Sequence, residues 1–458
     1  MSYLLFAFIL ILTYIRPIEL FVPELEALRP VLFVAVFAIL VALLRISQLR
    51  RQIMTARLFT LFFCTVSASF VSVFASSRWF GGATQAVITT ITCVMFYLLT
   101  VWNLDDIKFV KRTMALVVLC ALIAAITSIY SFESGFQQNI FVLRDTKGIM
   151  VEPPYPTSPQ ADIAGNFLWR IRGVGILGDP NDFGQFLLVS IAFAGYFLAR
   201  SSIVVRLFIV VPVIGILLLG LYMTHSRGAA LSMVALVGLM MIRRFGKTFA
   251  GFVGGPVLTL VVTAGFLGGG RAIGAADSSA GDRILAWSEG LKMLSSSPIW
   301  GIGFNRFTDL HERTAHNSFV LSFSELGLLG YFGWLGLIVI AISQLVTLST
   351  LAAHSKDKQF QSAYNTLVNA LVVYLVCALF LSRTYDVTLY IILGMIGALR
   401  SIGAKLEAQS GIKVVPQPSL LLVLFPEQRW VVATLGWMAA SIGVVFVMTR
   451  LYWTGTIG

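Results

Sequence analysis

Long apolar runs broken by short polar joints repeat along almost the whole of this chain. A bilayer core takes about 20 mostly apolar residues per helical crossing. Runs of that kind stand at roughly 2–16, 30–45, 58–77, 83–102, 113–131, 183–199, 207–224, 228–242, 250–268, 331–352, 363–382, 388–402 and 430–449. The pattern predicts an all-α polytopic membrane protein with about 12–13 transmembrane helices. No Ala-x-Ala cleavage site follows the first run, which is therefore expected to stay as a span. No repeat or low-complexity tract interrupts the series, so a single integral membrane domain over 1–458 is expected.

Composition agrees with that reading. Of 458 residues, 58% are hydrophobic and only 12% charged, a balance unlike that of a water-soluble globule. Cys64, Cys93, Cys120 and Cys377 all fall inside predicted spans without metal-type spacing. Buried structural thiols are the expectation for all of them.

Charge then orients the chain. Basic residues gather on alternate joints, as in Arg50, Arg51 and Arg57; Lys108, Lys111 and Arg112; Arg243, Arg244 and Lys247; Arg400, Lys405 and Lys413. The positive-inside rule makes that set cytoplasmic. The net charge of +12 thus reports orientation, and no nucleic-acid partner is needed to explain it. The N-terminus falls inside, as does a loop at 403–429. Two long polar segments, 132–182 and 269–330, fall outside. Long polar segments on one face of a membrane protein are where function is expected.

The first segment ends WRIRGVGILGDPNDFG, with Arg170 and Arg172 just before a span. Its DPND reads as a helix start: Asp179 as N-cap, Pro180 at the first helical position, Asp182 in the first turn. A short external turn, THSRGAA, sets Arg227 between two apolar runs. A guanidinium there either snorkels to headgroups or faces a cavity holding an anion. Ser226 reads as an N-cap, and no acid completes a Ser-His arrangement with His225.

The second segment opens Gly-rich, and a short amphipathic helix is predicted from Asp282 to the Ser run before Pro298. GIGFNRF reads as a tight turn; its glycines follow no strand, which excludes a dinucleotide site. RTAHNSFVLSFSELGLLG then leads into the next span. Asn317 or Ser318 can cap that helix, and Ser322 with Glu325 fits a capping box. His316 has few acids beside it and is the side chain whose charge changes most readily near neutral pH. There is no HExxH or Cys/His cluster, and His311 and His316 are five apart rather than four, so a metal site is not supported.

In order, then, the chain carries RGVGILGDPNDFG, THSRGA, DRILAWSEGLKML followed by PIWGIGFNRF, and HNSFVLSFSELGLLG. Over roughly 165–345 these stretches resemble the O-antigen ligase and polymerase superfamily of bacterial inner-membrane glycan transferases. The resemblance implies a GT-C-type helical fold with two long periplasmic loops containing short helices. It implies an undecaprenyl-pyrophosphate-linked glycan donor, chemistry at the periplasmic face, and no cofactor or metal. The acceptor would be lipid A–core for a ligase and the growing glycan for a polymerase, with membrane lipids as further partners. Arg172, Arg227 and Arg283 match arginines of the family's motifs, and His316 matches the histidine of its last external loop.

The residue chemistry fits independently. Arginine presents paired donors to phosphate oxygens, which suits a pyrophosphate leaving group. Histidine can take the proton of an attacking hydroxyl. His316, Arg227 and Arg283 are the catalytic candidates, with Arg172, Arg170, Asn317 and Arg306 as substrate-binding candidates. No glycosidase-like carboxylate pair or nucleophilic carboxylate is evident, so single displacement with inversion is expected. Ligase is favoured because one histidine-bearing loop dominates the external face. Arginines in both external segments lean toward the alternative, a polymerase using the same donor. A flippase or transporter would want ionisable groups deep in the spans and broken helices in repeat-related positions. Here the charges gather at one face and no repeat is visible.

Overall fold

The computed structural model describes residues 2–22, 24, 34, 56–146, 150–246, 278–410 and 420–454. The runs expected at 30–45 and 250–268 lie outside the described residues. Among those described, ten helices are long and apolar enough to cross a membrane: Arg57–Ser77, Phe80–Asn103, Ile107–Ser134, Pro180–Arg200, Ile203–Met223, Arg227–Phe245, Ser318–His354, Lys358–Ala378, Val387–Gln409 and Trp430–Trp453. The chain is an all-α polytopic membrane protein. The first run forms a helix of only 13 residues, Ser2–Tyr14. At 1.5 Å per residue that is about 20 Å, short of a bilayer core of about 30 Å.

The chain divides into two compact units. The first consists of Met1–Leu40, Lys108–Ile273 and Asn365–Cys377. In it the buried helix Pro180–Arg200 packs on Ile203–Met223 and Arg227–Phe245. Glycines allow the close approach: a Cβ at Gly184 would stand 3.1 Å from Ser226 Cβ and 3.2 Å from Ala229 Cβ. Without a hydrophobic force between helices in lipid, such small-residue contacts are what bring backbones together. The long polar segment 132–182 also holds a two-stranded antiparallel hairpin that the sequence did not announce. Its strands are β1 (Val142–Thr146) and β2 (Phe167–Ile171), in register Val142 to Ile171.

The second unit consists of Val41–Ile107, Gly274–Tyr364 and Ala378–Gly458. Its axis is the 37-residue helix Ser318–His354, which starts 13 residues before the expected span and packs along Ala56–Ser77 and Trp430–Trp453. Gly330, Gly333 and Gly336 recur every third residue and line one face. A Cβ at Gly333 would meet Thr65 Oγ1 at 2.3 Å, and one at Gly336 would meet Leu61 at 2.4 Å. The helix Val387–Ser410 likewise runs on into the region expected as the 403–429 loop. Joints that the charge pattern put on one side do meet: Arg57 donates to the Glu427 carbonyl (2.6 Å) and Lys405 to that of Asp105 (3.1 Å).

The long helix is broken near its start. Gly327 has φ 63°, ψ −168°, and the i to i−4 ladder fails there. In a continuous helix, Leu328 and Leu329 would donate to the carbonyls of Ser324 and Glu325. Instead they donate to Pro298 (2.8 Å) and Ile299 (3.3 Å), while Ser324 and Glu325 accept from Ile302 and Gly303, both at 3.0 Å. The PIWGIG segment thus satisfies these four backbone groups that the break releases. At membrane depth, a non-helical backbone is tolerated only when buried in protein in this way.

Candidate functional site

In the first unit, the long polar segment 132–182 is ordered by Asp162 and two arginines. Asp162 accepts from the Asn166 (3.0 Å) and Phe167 (2.8 Å) amides and the Trp169 indole (3.2 Å), which fixes the entry to β2. Arg170 is buried on β2. Its Nε donates to the Thr224 carbonyl and its Nη2 to Asn181 Oδ1, both at 2.8 Å. Hairpin, THSR turn and the start of helix Pro180–Arg200 are thereby tied together. Arg172 donates to the carbonyls of Asn139 and Ile140, both at 2.9 Å. Both guanidiniums are engaged with the protein. Asp179 caps the following helix as expected, accepting from the Asn181 and Asp182 amides.

The THSR turn has a defined geometry. His225 sits in the left-handed region (φ 48°), Ser226 is the N-cap and accepts from the Ala229 amide, and Arg227 is the first helical residue. A cation in the first turn opposes the helix macrodipole, at a cost of roughly 0.3–1 kcal/mol. Helix stability therefore gives no reason for Arg227. A guanidinium at a helix N-terminus does suit an anion, because the exposed amides and the charge act together.

The second unit repeats this device. His316 has φ 48°, Asn317 is the N-cap, and its Oδ1 accepts from the Phe319 (2.9 Å) and Val320 (3.2 Å) amides. Asn317 is buried and its side-chain oxygen is committed to that cap. The predicted amphipathic helix is present as Ser278–Ser296 and is fixed to the residues before His316 at two points. Asp282 accepts from Arg313 (2.6 Å), and the Trp287 indole donates to the Ala315 carbonyl (3.1 Å). Arg283 lies one helical turn from Trp287, on the same face, with its guanidinium 6.0 Å from the centre of the Phe380 ring. The helix that carries Arg283 is thus bonded to the residue before His316. Arg306 stands apart, donating to Asp309 (3.0 Å) and Ser76 (3.1 Å). Arg170, Arg172 and Arg227 belong to the other unit.

The short loop 379–386 was not singled out by its sequence, yet it braces the His316 segment. Ser318 Oγ donates to the Leu381 carbonyl (2.6 Å) and accepts from the Arg383 amide (2.8 Å). Thr384 Oγ1 donates to the Ser318 carbonyl (2.8 Å), and Thr314 and Ser382 share a hydroxyl bond of 2.7 Å. A nearly buried ion pair, Arg383 with Asp386 at 2.7 Å, holds the loop's own shape. The only cue was a run of hydroxyls and charges, SRTYD, between two apolar spans. Ser318→Ala leaves a buried carbonyl and a buried amide unsatisfied, at about 1–3 kcal/mol each. The variant is expected to melt several degrees lower, as thermal unfolding in detergent would show. An unchanged melting curve would remove this loop from the account.

Glu325 does not form the expected capping box. The helix has already begun at Asn317, so Ser322 lies inside it. The buried carboxylate instead accepts from the Phe307 amide (3.3 Å) and the Tyr385 hydroxyl (3.1 Å), joining three chain segments. Burial and the neighbouring Glu325 push the Tyr385 phenol well above its usual range, so its proton stays on the donor side.

Residues 212–335 match the family model described as O-antigen ligase. A search of curated proteins finds no match. The matched stretch takes in Arg227, Arg283, Arg306 and His316. Over that segment, the chain is similar to the O-antigen ligase superfamily.

Proposed function

We propose that the chain is a glycosyltransferase that moves a glycan from undecaprenyl pyrophosphate to an acceptor hydroxyl on lipid A–core. In this reading the reaction takes place at the periplasmic face of the bacterial inner membrane. The match over 212–335 carries this reading, because it takes in the histidine and two of the arginines that such chemistry needs. His316 takes the proton of the acceptor hydroxyl as its oxygen attacks the anomeric carbon. The bond from that carbon to the pyrophosphate oxygen breaks, and the electron pair leaves with the phosphate. Arg283 neutralises the charge that develops there, and Arg227 keeps the same assignment from the sequence. One displacement inverts the anomeric centre.

Two observations weigh on the alternatives. The arginines of the first external segment, which lean toward polymerase on sequence, are bonded to backbone carbonyls and Asn181. The broken helix at Gly327, a feature found in transporters, is closed by the PIWGIG backbone.

The test mixes purified protein in lipid nanodiscs with an undecaprenyl-pyrophosphate glycan and either lipid A–core or excess donor, and resolves the products by gel. Glycan on lipid A–core is the expected outcome. A ladder of longer donor-linked chains would make the enzyme a polymerase. No product with either acceptor would overturn the reading.

A further inference from the structure

The second unit contains an open pocket of about 260 Å³ that the reaction described above does not use. Ala75, Ser76, Ser297, Ile302, Arg306 and Leu310 line it. We infer that this pocket is a subsite for one sugar ring of the glycan chain, set back from the bond that reacts. The inference rests on the glycosyltransferase reading and names a further contact for its substrate.

Size is the first argument. The volume falls below the roughly 300–1,000 Å³ of pockets for drug-sized ligands, so it suits a single ring rather than a whole repeat unit. Polarity is the second. Arg306 uses two of its five N–H groups on Ser76 and Asp309, which leaves three for a ligand. The Asp309 carboxylate, 3.0 Å from Arg306 Nε, already offsets the guanidinium charge and would repel an incoming phosphate. Vicinal hydroxyls are different: each needs both a donor and an acceptor, which Arg306 and the lining hydroxyls of Ser76 and Ser297, with Asp309 bonded to Arg306, supply together. Ala75, Ile302 and Leu310 give the apolar surface that the C–H face of a ring covers.

Position is the third argument. The pocket lies beside Ser297, at the C-terminal end of helix Ser278–Ser296. The bond to Ala315, next to His316, comes from Trp287, about ten residues earlier and so roughly 15 Å along the axis. A ring held at Arg306 is therefore removed from the reacting carbon. Binding energy from such a remote part of a substrate can be used to orient the reacting end.

The test uses the full chain in detergent and short free oligosaccharides cut from the cells' own lipid-linked glycan. Saturation-transfer NMR reads binding, and the transfer assay runs in parallel. Wild type is expected to bind. Arg306→Leu and Asp309→Asn should each weaken binding about tenfold or more, the loss of a charge-assisted hydrogen bond. Asp309 is exposed, so its isosteric variant keeps the fold even where Arg306→Leu does not. No binding by wild type, equal binding by Asp309→Asn, or displacement of the sugar by inorganic phosphate would each overturn the subsite. Binding that follows Asp309 without any transfer would leave the subsite standing and sink the glycosyltransferase reading. Normal transfer with unchanged binding in Asp309→Asn would do the reverse.

Discussion

Gly327→Ala is expected to leave little folded protein. A Cβ at this position would stand 2.3 Å from the Ile299 carbonyl oxygen and 2.5 Å from the Gly301 amide, and φ is 63°. The obstructing atoms are backbone, so no side chain can swing away. Those same backbones carry the four bonds that close the helix break. A φ of 63° with ψ −168° is a region essentially reserved for glycine and alone costs an alanine about 1–3 kcal/mol. Separating the two segments would add the loss of buried bonds, for a total on the order of 4 kcal/mol or more, the extreme end for a point substitution. Gly301→Ala should behave alike, since its Cβ would meet the Glu325 carbonyl at 2.3 Å. Gly436→Ala is the control: nothing lies within 4 Å, and it sits within an ordinary helix. Size-exclusion profiles and melting curves should separate Gly436→Ala from the other two. Near-native melting of Gly327→Ala would show that the break is not held as described.

His316→Asn is expected to remove transfer while the protein folds normally. Asparagine tolerates the left-handed backbone that His316 adopts at φ 48°. The Asn317 cap and the Ser318 bonds lie outside the changed side chain. Loss of a positioned general base lowers rates by about 10²–10⁴. Single-turnover transfer and thermal unfolding on the same preparation check this. Transfer within a few-fold of wild type would end the role given to His316, whereas a collapsed melting curve would make its role structural.

Much of this was legible in the chain and some was not, for reasons that differ by residue. The caps at Asp179, Ser226 and Asn317 follow from a local rule: a short polar side chain before an apolar run satisfies the first free amides. The same locality misled at Glu325, where Ser-x-x-Glu fits a box but the helix had started earlier. The hairpin was missed because two five-residue strands in a polar segment show no decisive period. Ser318 gave no sign of its importance, since its partners lie 63 to 66 residues away. The break at Gly327 was hidden because ELGLLG falls in the segment read as external and ending at 330, so no span was expected there for it to interrupt. Arg170 and Arg172 were visible as candidates, but only the hairpin's geometry reveals which carbonyls they hold.

The crossed bonds at the break have a consequence for how this region opens. An ordinary helix frays from its end, and each amide exchanges with solvent deuterium on its own schedule. Here the amides of Ile302, Gly303, Leu328 and Leu329 each depend on the other segment for an acceptor. Neither strand of this contact can detach without releasing both sets. The four amides should exchange as a single cooperative unit with one protection factor, although about 25 residues of chain separate the pairs.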